Sequence, residues 1–374
     1  MNKKQLRELI EKSLKKQGFH IRDNAIVPPS NLTKDRLRKL HQLSVKHKID
    51  AAEGSLCRFE DQLLSRLAVG NEIDPERITP RLVEVTSRSQ DELLFRYASL
   101  HWSIPVSAGY GRRLRYLVMD EQNNKLIGII GLGDPVFALR GRDSWIGWDN
   151  AARLKNLRNV MDAFALGAVP PYSSLLCGKL VAALVASDEV RIAFKQKYEG
   201  RTSLIKKETL DSRLALVTTT SALGRSSIYN RLKYQDRTLY HAVGFTSGSG
   251  EFHFSNGLYG EISKYANKYC IPTAKKEGWG EGFRNKREVV KKCLSKIGLS
   301  ANWIYHGIER EIYVVPLAHN TREFLRGEHT RLRWYNTSAN DLFKYFRSRW
   351  LIPRSQREQG YRDWNPEEWR LWQG

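Results

Sequence analysis

Residues 114–131 read LRYLVMDEQNNKLIGIIG, and this stretch decides the fold class. Leu114 to Met119 and Leu126 to Gly131 are short apolar runs, and Asp120-Glu-Gln-Asn-Asn124 between them is turn chemistry. The pattern predicts a β-hairpin. Moving outward, Asp149 is placed to cap a helix running through Leu157. A strand is predicted within 159–169, stopped by Pro170-Pro171. Residues 172–186 are apolar nearly all round (Leu175, Leu176, Leu180, Val181, Leu184), which predicts a buried helix. Leu214 to Thr220 reads as a second core strand, running into Gly224 and a short helix with Ser226, Ser227, Tyr229 and Arg231. Ile312 to Val315, ended by Pro316, is one more strand. Hairpin, strand, buried helix, strand and helix make an α/β core with a largely buried sheet.

The flanks read as helices. Leu6, Leu9, Ile10 and Leu14 recur at helical spacing over 3–16, and Gly18 ends that helix. Further helices are predicted over 34–48, from about Phe59 to Leu67, and from Asp91-Glu92 to Leu100, with a break at Pro75 and Pro80. Beyond Cys270 the chain is basic and helical again, then aromatic. Three consecutive regions follow: a basic helical N-terminal region (1–100), an α/β core (101–265) and a basic, aromatic-rich, mainly helical C-terminal region (266–374).

The chain carries 62 Lys plus Arg against 40 Asp plus Glu, a formal charge of +22. Residues 201–300 hold 18 basic and 8 acidic side chains, +10 of that excess. Such a balance points to a polyanion, nucleic acid before a membrane surface. No run approaches the roughly 18 apolar residues of a bilayer span. The basic N-terminus lacks the apolar run of a secretory signal. Cys57, Cys177, Cys270 and Cys293 form no CxxC pair, so a zinc ribbon is not expected, and reduced thiols in a cytoplasmic protein are.

Few motifs carry chemistry. Cys177-Gly178-Lys179 resembles the end of a phosphate loop, but position 173 is Ser and position 180 is Leu, so a Walker site is rejected. Gly128, Gly131 and Gly133 do not have dinucleotide-loop spacing. Glu251-Phe-His253 alternates as a strand would, placing an acid and an imidazole on one face; an ordinary hairpin surface accounts for them too. Asp134 lies near the aromatic stretch Trp145-Ile-Gly-Trp148, where caps and core packing are the plain reading. The sharpest signal is TTTSALGRSSIYNR (218–231), a strand entering a helix whose free N–H groups, with Arg225 and Arg231, would attract phosphate. Trp334, Tyr335 and Trp350 alternate with arginines, which suits base stacking or a packing face equally.

Several strings resemble the DruA family of the Druantia anti-phage defence systems: LRYLVMDEQNNKLIGIIGLGDPVFAL (114–139), RDSWIGWDNAARLKNLRNV (142–160), LGAVPPYSSLLCGKLVAAL (166–184) and LALVTTTSALGRSSIYNRLKY (214–234). FTSGSGEFHFS (245–255) and RSRWLIP (347–353) are similar too. The resemblance implies a role in bacterial defence beside other Druantia proteins, including a helicase-like one; it supplies no catalytic residues. A more distant similarity is to the GNAT-type acyltransferase fold, in the hairpin–strand–helix–strand–helix order and in SSIYNRLKY with Gly244-Phe245 downstream. Residues 170–178 lack that fold's glycine-rich pyrophosphate loop, so acyl-CoA is not expected.

The sequence therefore predicts a GNAT-like mixed-sheet core with helical extensions that binds nucleic acid, DNA favoured, through a basic surface and not a membrane. The candidate contacts are Arg225, Ser226, Ser227, Arg231, Lys233, Arg284, Lys286, Arg287, Lys291 and Lys292, with Trp334, Tyr335 and Trp350. A group transferase or nuclease on nucleic acid, using Asp134, Tyr229, Glu251 and His253, is the alternative, and a scaffold recruiting other defence proteins is a third. No cofactor or metal is predicted; Mg²⁺ would enter only with a nuclease.

Overall fold

The hairpin of residues 114–131 sits inside a seven-stranded sheet. In the computed structural model, which describes residues 1–106, 111–202, 211–273 and 282–372, the strands are β1 (Pro80–Glu84), β2 (Arg113–Asp120), β3 (Lys125–Gly133), β4 (Val160–Ala168), β5 (Leu216–Thr220), β6 (His241–Phe245) and β7 (Glu311–Pro316). Tyr116 pairs with Ile130 across the hairpin. Its turn is closed by Asn124 in the left-handed region (φ 56°) and by the Lys125 amide on Asn123 Oδ1 at 3.1 Å. The spatial order is β1-β2-β3-β4-β5-β7-β6. Every neighbour is antiparallel except β4 and β5, which run parallel for three pairs, ending at Asp162 and Thr218. β4 continues to Ala168 and β5 to Thr220, so the two strands part beyond that point.

Period-two alternation sends each strand's residues to two cores. Leu114, Tyr116 and Val118 face one core together with α4 (Cys177–Leu184), α5 (Asp188–Tyr198) and α8 (Ala339–Phe346). Leu117 and Met119 face the other, under α3 (Gln90–Leu100), the end of α2 (Lys34–Leu56) and the C-terminal tryptophans. Pro80, expected as a break, instead begins β1. The strand lies on the sheet edge, where a proline costs no ladder hydrogen bond.

A second body lies beside the sheet. The first helix, α1 (Lys3–Gln17), and the start of α2 share one core with α6 (Leu258–Tyr269), α7 (Lys286–Lys296), Trp303 and Ile308. This unit joins the N-terminus to the segment between β6 and β7. Polar contacts pin the joint: Gln17 Nε2 donates to the His253 carbonyl at 2.9 Å, and the Trp303 indole donates to the Asn24 carbonyl at 2.9 Å. Among the described residues no helix is long and apolar enough to cross a membrane.

Two local expectations are corrected. Residues 226–231 form turns, not a helix: Ser226 Oγ accepts from the Ile228 and Tyr229 amides at 3.2 Å each, and Arg231 takes a positive φ of 64°. Residues 252–254 form one 3₁₀ turn, not a strand. His253 and Phe254 are successive and both fully buried, which a strand with one solvated face cannot provide.

Candidate functional site

Where β4 and β5 part, a recess of about 620 Å³ opens. Its floor is the end of β4 (Leu166 to Ala168) and the start of α4 (Leu176, Gly178, Lys179). One wall is the 221–229 loop; the other is His101, Trp102 and Trp369, with Lys34 and Arg38 of α2 on the rim. Lys34, Arg38, Lys179 and Arg225 line it, and among the described residues no Asp or Glu does.

The cations differ in their surroundings. Burial lowers the pKa of Lys179, whose Nζ lies 5.5 Å from the Trp350 ring centroid. Arg225 stays 71% exposed, with Nε 3.6 Å from Glu311 Oε1, and the Tyr313 hydroxyl also donates to Glu311. Arg38 Nη1 reaches Asp35 at 2.5 Å, an exposed pair of little energetic weight. The recess therefore keeps a net positive potential that a phosphate would lower at small desolvation cost.

The aromatic wall is held from behind. His101 stacks on Trp369 with centroids 3.9 Å apart and planes 5° from parallel. Burial pushes the His101 pKa down to about 4, so the ring is neutral at pH 7. The segment bearing Trp369 is anchored by buried Glu60, which accepts the Leu371 and Trp372 amides at 2.7 and 3.2 Å. Tyr97 Oη lies 2.8 Å from Glu60 and 2.6 Å from the Trp369 carbonyl.

Among the residues expected from sequence, Arg225, Ser226, Ser227 and Tyr229 line the recess. Tyr229 is buried and stacked on Tyr240 at 4.8 Å, and burial pushes its pKa up to about 12. Asp134, Glu251 and His253 are not among the lining residues. Asp134 pairs with Arg112 at 2.7 Å. His253 Nε2 lies 2.8 Å from the Trp303 carbonyl inside the helical unit, and burial lowers its pKa to about 4. Glu251 opens the neighbouring turn. Among the described residues no three His, Cys, Asp or Glu are grouped to hold a metal ion.

Arg231 and Lys233 are exposed beyond the loop, off the recess. Arg284, Lys286, Arg287, Lys291 and Lys292 lie at or on α7 in the helical unit. There Lys286 sits over Tyr259 at 5.0 Å, Arg287 over Tyr305 at 5.7 Å, and Lys292 reaches the Ile271 carbonyl. Lys275 and Lys276, also basic in the sequence, lie outside the described residues. Trp334 and Tyr335 are covered by the protein's own Arg191 (4.4 Å) and Arg237 (4.0 Å).

Lys34, Arg38, Lys179, His101, Trp102 and Trp369 were not expected as site residues. Lys179 alone had a readable signal: it is the one cation in an otherwise apolar helix, where a charge needs a reason.

A family model described as "Druantia protein DruA" matches residues 31–327. A protein named Druantia protein DruA from Escherichia coli (strain UMEA 4076-1) is 38% identical over 364 residues, covering 97% of this chain and 90% of that protein. No solved structure matches the chain. Matched over residues 31–327 by the family model and over 97% of its length by that relative, the chain belongs to the DruA family of Druantia proteins.

Proposed function

We propose that this protein is the nucleic-acid-binding component of a Druantia-type anti-phage system, with DNA as the favoured polymer and the recess between β4 and β5 as its anchor. The observation that carries this reading is the recess lining: among the described residues, four cations, aromatic walls and no carboxylate. A concave site suits a polymer that can enter it, whereas a membrane surface calls for a flat or convex basic face. The cations of α7 would add long-range attraction without setting position. Other Druantia proteins, a helicase-like one among them, are the partners expected, in the cytoplasm.

The test is salt. Fluorescence anisotropy with labelled DNA should give an affinity that falls on a log–log slope of about −0.7 to −0.9 per phosphate neutralised. With three to four phosphates engaged, affinity drops by roughly tenfold or more between about 50 and 200 mM salt. A flat affinity across that range overturns the reading.

One observation favours a second reading, a group transferase on a GNAT-like core. The sheet has a single parallel pair, and it separates after three residue pairs, leaving the recess at the fork. Fold likeness is weak warrant for activity. Product analysis of DNA incubated with the protein, with and without acetyl-CoA and Mg²⁺, tests it: a modified or cleaved product would displace pure binding.

A further inference from the structure

The recess continues past Trp102. A second hollow, of about 570 Å³, adjoins it and shares Arg38, His101, Trp102 and Ser103. Lys39 joins on this side, and again no Asp or Glu is among the lining residues. The two hollows adjoin as one trough, and Trp102 and His101, the latter stacked on Trp369, are the aromatic ridge common to both. Gly167 lets Trp102 lie close: a Cβ there would stand 3.0 Å from Trp102 Cζ2.

We propose that the trough holds a single-stranded segment of nucleic acid, one unstacked nucleotide in each hollow, astride the aromatic ridge. This rests on the nucleic-acid reading above and narrows it. A duplex carries its phosphates on a convex exterior and keeps its bases paired inside, so it can touch the rim cations but cannot fill either hollow. Each hollow has the volume of a small-molecule site, which matches one nucleotide. Bases stack on aromatic faces whatever their identity, and Lys and Arg follow the backbone, which is how single strands are held without sequence choice. The ridge suits this role because Trp102 is only half-buried and lines both hollows, while His101, stacked on Trp369, is kept neutral by burial and adds no charge. Arg38, lining both hollows, meets the phosphate that links the two nucleotides.

The test uses the full chain and two labelled DNAs of about 15 nucleotides or base pairs, an oligo(dT) and a hairpin-capped duplex, followed by anisotropy at fixed salt. The single strand binds at least about tenfold tighter than the capped duplex. R38E weakens the single strand by about tenfold and the capped duplex, which meets Arg38 only at the rim, by less than about threefold. W102A gives a similar loss on the single strand; because Trp102 also packs on Gly167, R38E, at an exposed site, separates binding from folding. Equal affinity for the two DNAs, or equal loss on both in R38E, overturns the single-strand assignment and leaves nucleic-acid binding standing. Tight single-strand binding that R38E and W102A both leave unchanged overturns the trough as its site. Binding of neither DNA overturns the nucleic-acid reading itself.

Discussion

In the helical unit, His41, His253 and His306 are buried and turned onto backbone or guanidinium partners; in the recess, Lys34, Arg38, Lys179 and Arg225 border open space with no carboxylate among the lining residues. Both regions are rich in nitrogen, yet they use it oppositely. The helical unit spends its polar groups holding the N-terminus to the segment between β6 and β7. His41 Nδ1 lies 3.0 Å from the Leu37 carbonyl, and its Nε2 lies 2.9 Å from Arg310 Nη2. His306 Nδ1 accepts the Ile308 amide at 3.1 Å. The recess leaves its cations facing solvent, where a polyanion can reach them. Net charge along the chain therefore locates neither region; the partner of each charge does.

The largest expected effect comes from acid, and it falls most heavily on the helical unit, where three histidines are kept neutral by burial against His101 on the sheet side. Burial lowers His41 and His253 to about 4 and His306 to about 3, with Arg310 beside two of them adding repulsion. Each ring is neutral when folded, while the unfolded chain takes up a proton near 6.5. Stability is thus full above pH 6.5 and is lost as pH falls toward 4, on the order of 3 kcal/mol for His253 alone. Hydrogen exchange at pH 5 against pH 7, corrected for intrinsic rates, should show 1–40, 252–273 and 282–308 opening while β2 and β3 stay protected. Simultaneous loss in both regions would mean that the two bodies unfold as one.

Next comes charge reversal in the recess. K179E/R225E should weaken DNA binding by about 2 kcal/mol, some thirtyfold, because two charge-assisted contacts become repulsive. K291E, on the exposed side of α7, should cost less than about threefold, since a rim charge far from the anchor steers more than it holds. Equal losses would erase the contrast between the regions and make the whole basic surface one interface.

Much of the fold was legible and much of the site was not, for physical reasons. The hairpin at 114–131, the buried helix and the strands at 160–168, 216–220 and 311–316 are local patterns, set by side-chain period and turn chemistry. That helix begins at Cys177, after turns over 172–176 where the apolar run predicts a helix from Tyr172. β1 was hidden because Pro80 reads as a breaker unless the strand is known to lie on an edge. The GRSSIYNR loop looked helical because serines cap helices, but Ser226 closes a local turn on itself and Tyr229 is drawn into a stack with Tyr240 and Tyr313. Most of the recess had no local signal. Its residues come from α2, the end of α3, β4, α4, the 221–229 loop and Trp369, and only the sheet's fork gathers them. The excess of charge in 201–300 points at that segment, but of the four lining cations among the described residues Arg225 alone comes from it.

The smallest expected effect concerns the tail, whose arginines and aromatics alternate as a stacking surface would. Here the pairs are already made within the chain. Arg191 lies over Trp334, Arg237 over Tyr335, and Trp334 packs against the core of α4 and α5. With one face under a guanidinium and the ring packed on the core, the worth of Trp334 is to the fold: about 0.5–1 kcal/mol for the cation–π contact, plus the packing lost on truncation. W334A should therefore lower the melting temperature and change DNA affinity by less than about twofold at temperatures where it stays folded. Trp350 is the informative exception, because Lys179 both lies over its ring and lines the recess. W350A should alter binding by more than W334A does, through the position of Lys179 rather than by stacking, and the excess should vanish in a K179A background. A tenfold loss in W334A with full thermal stability would instead make the tail a binding face, and the arginines that cover it would have to swing away first.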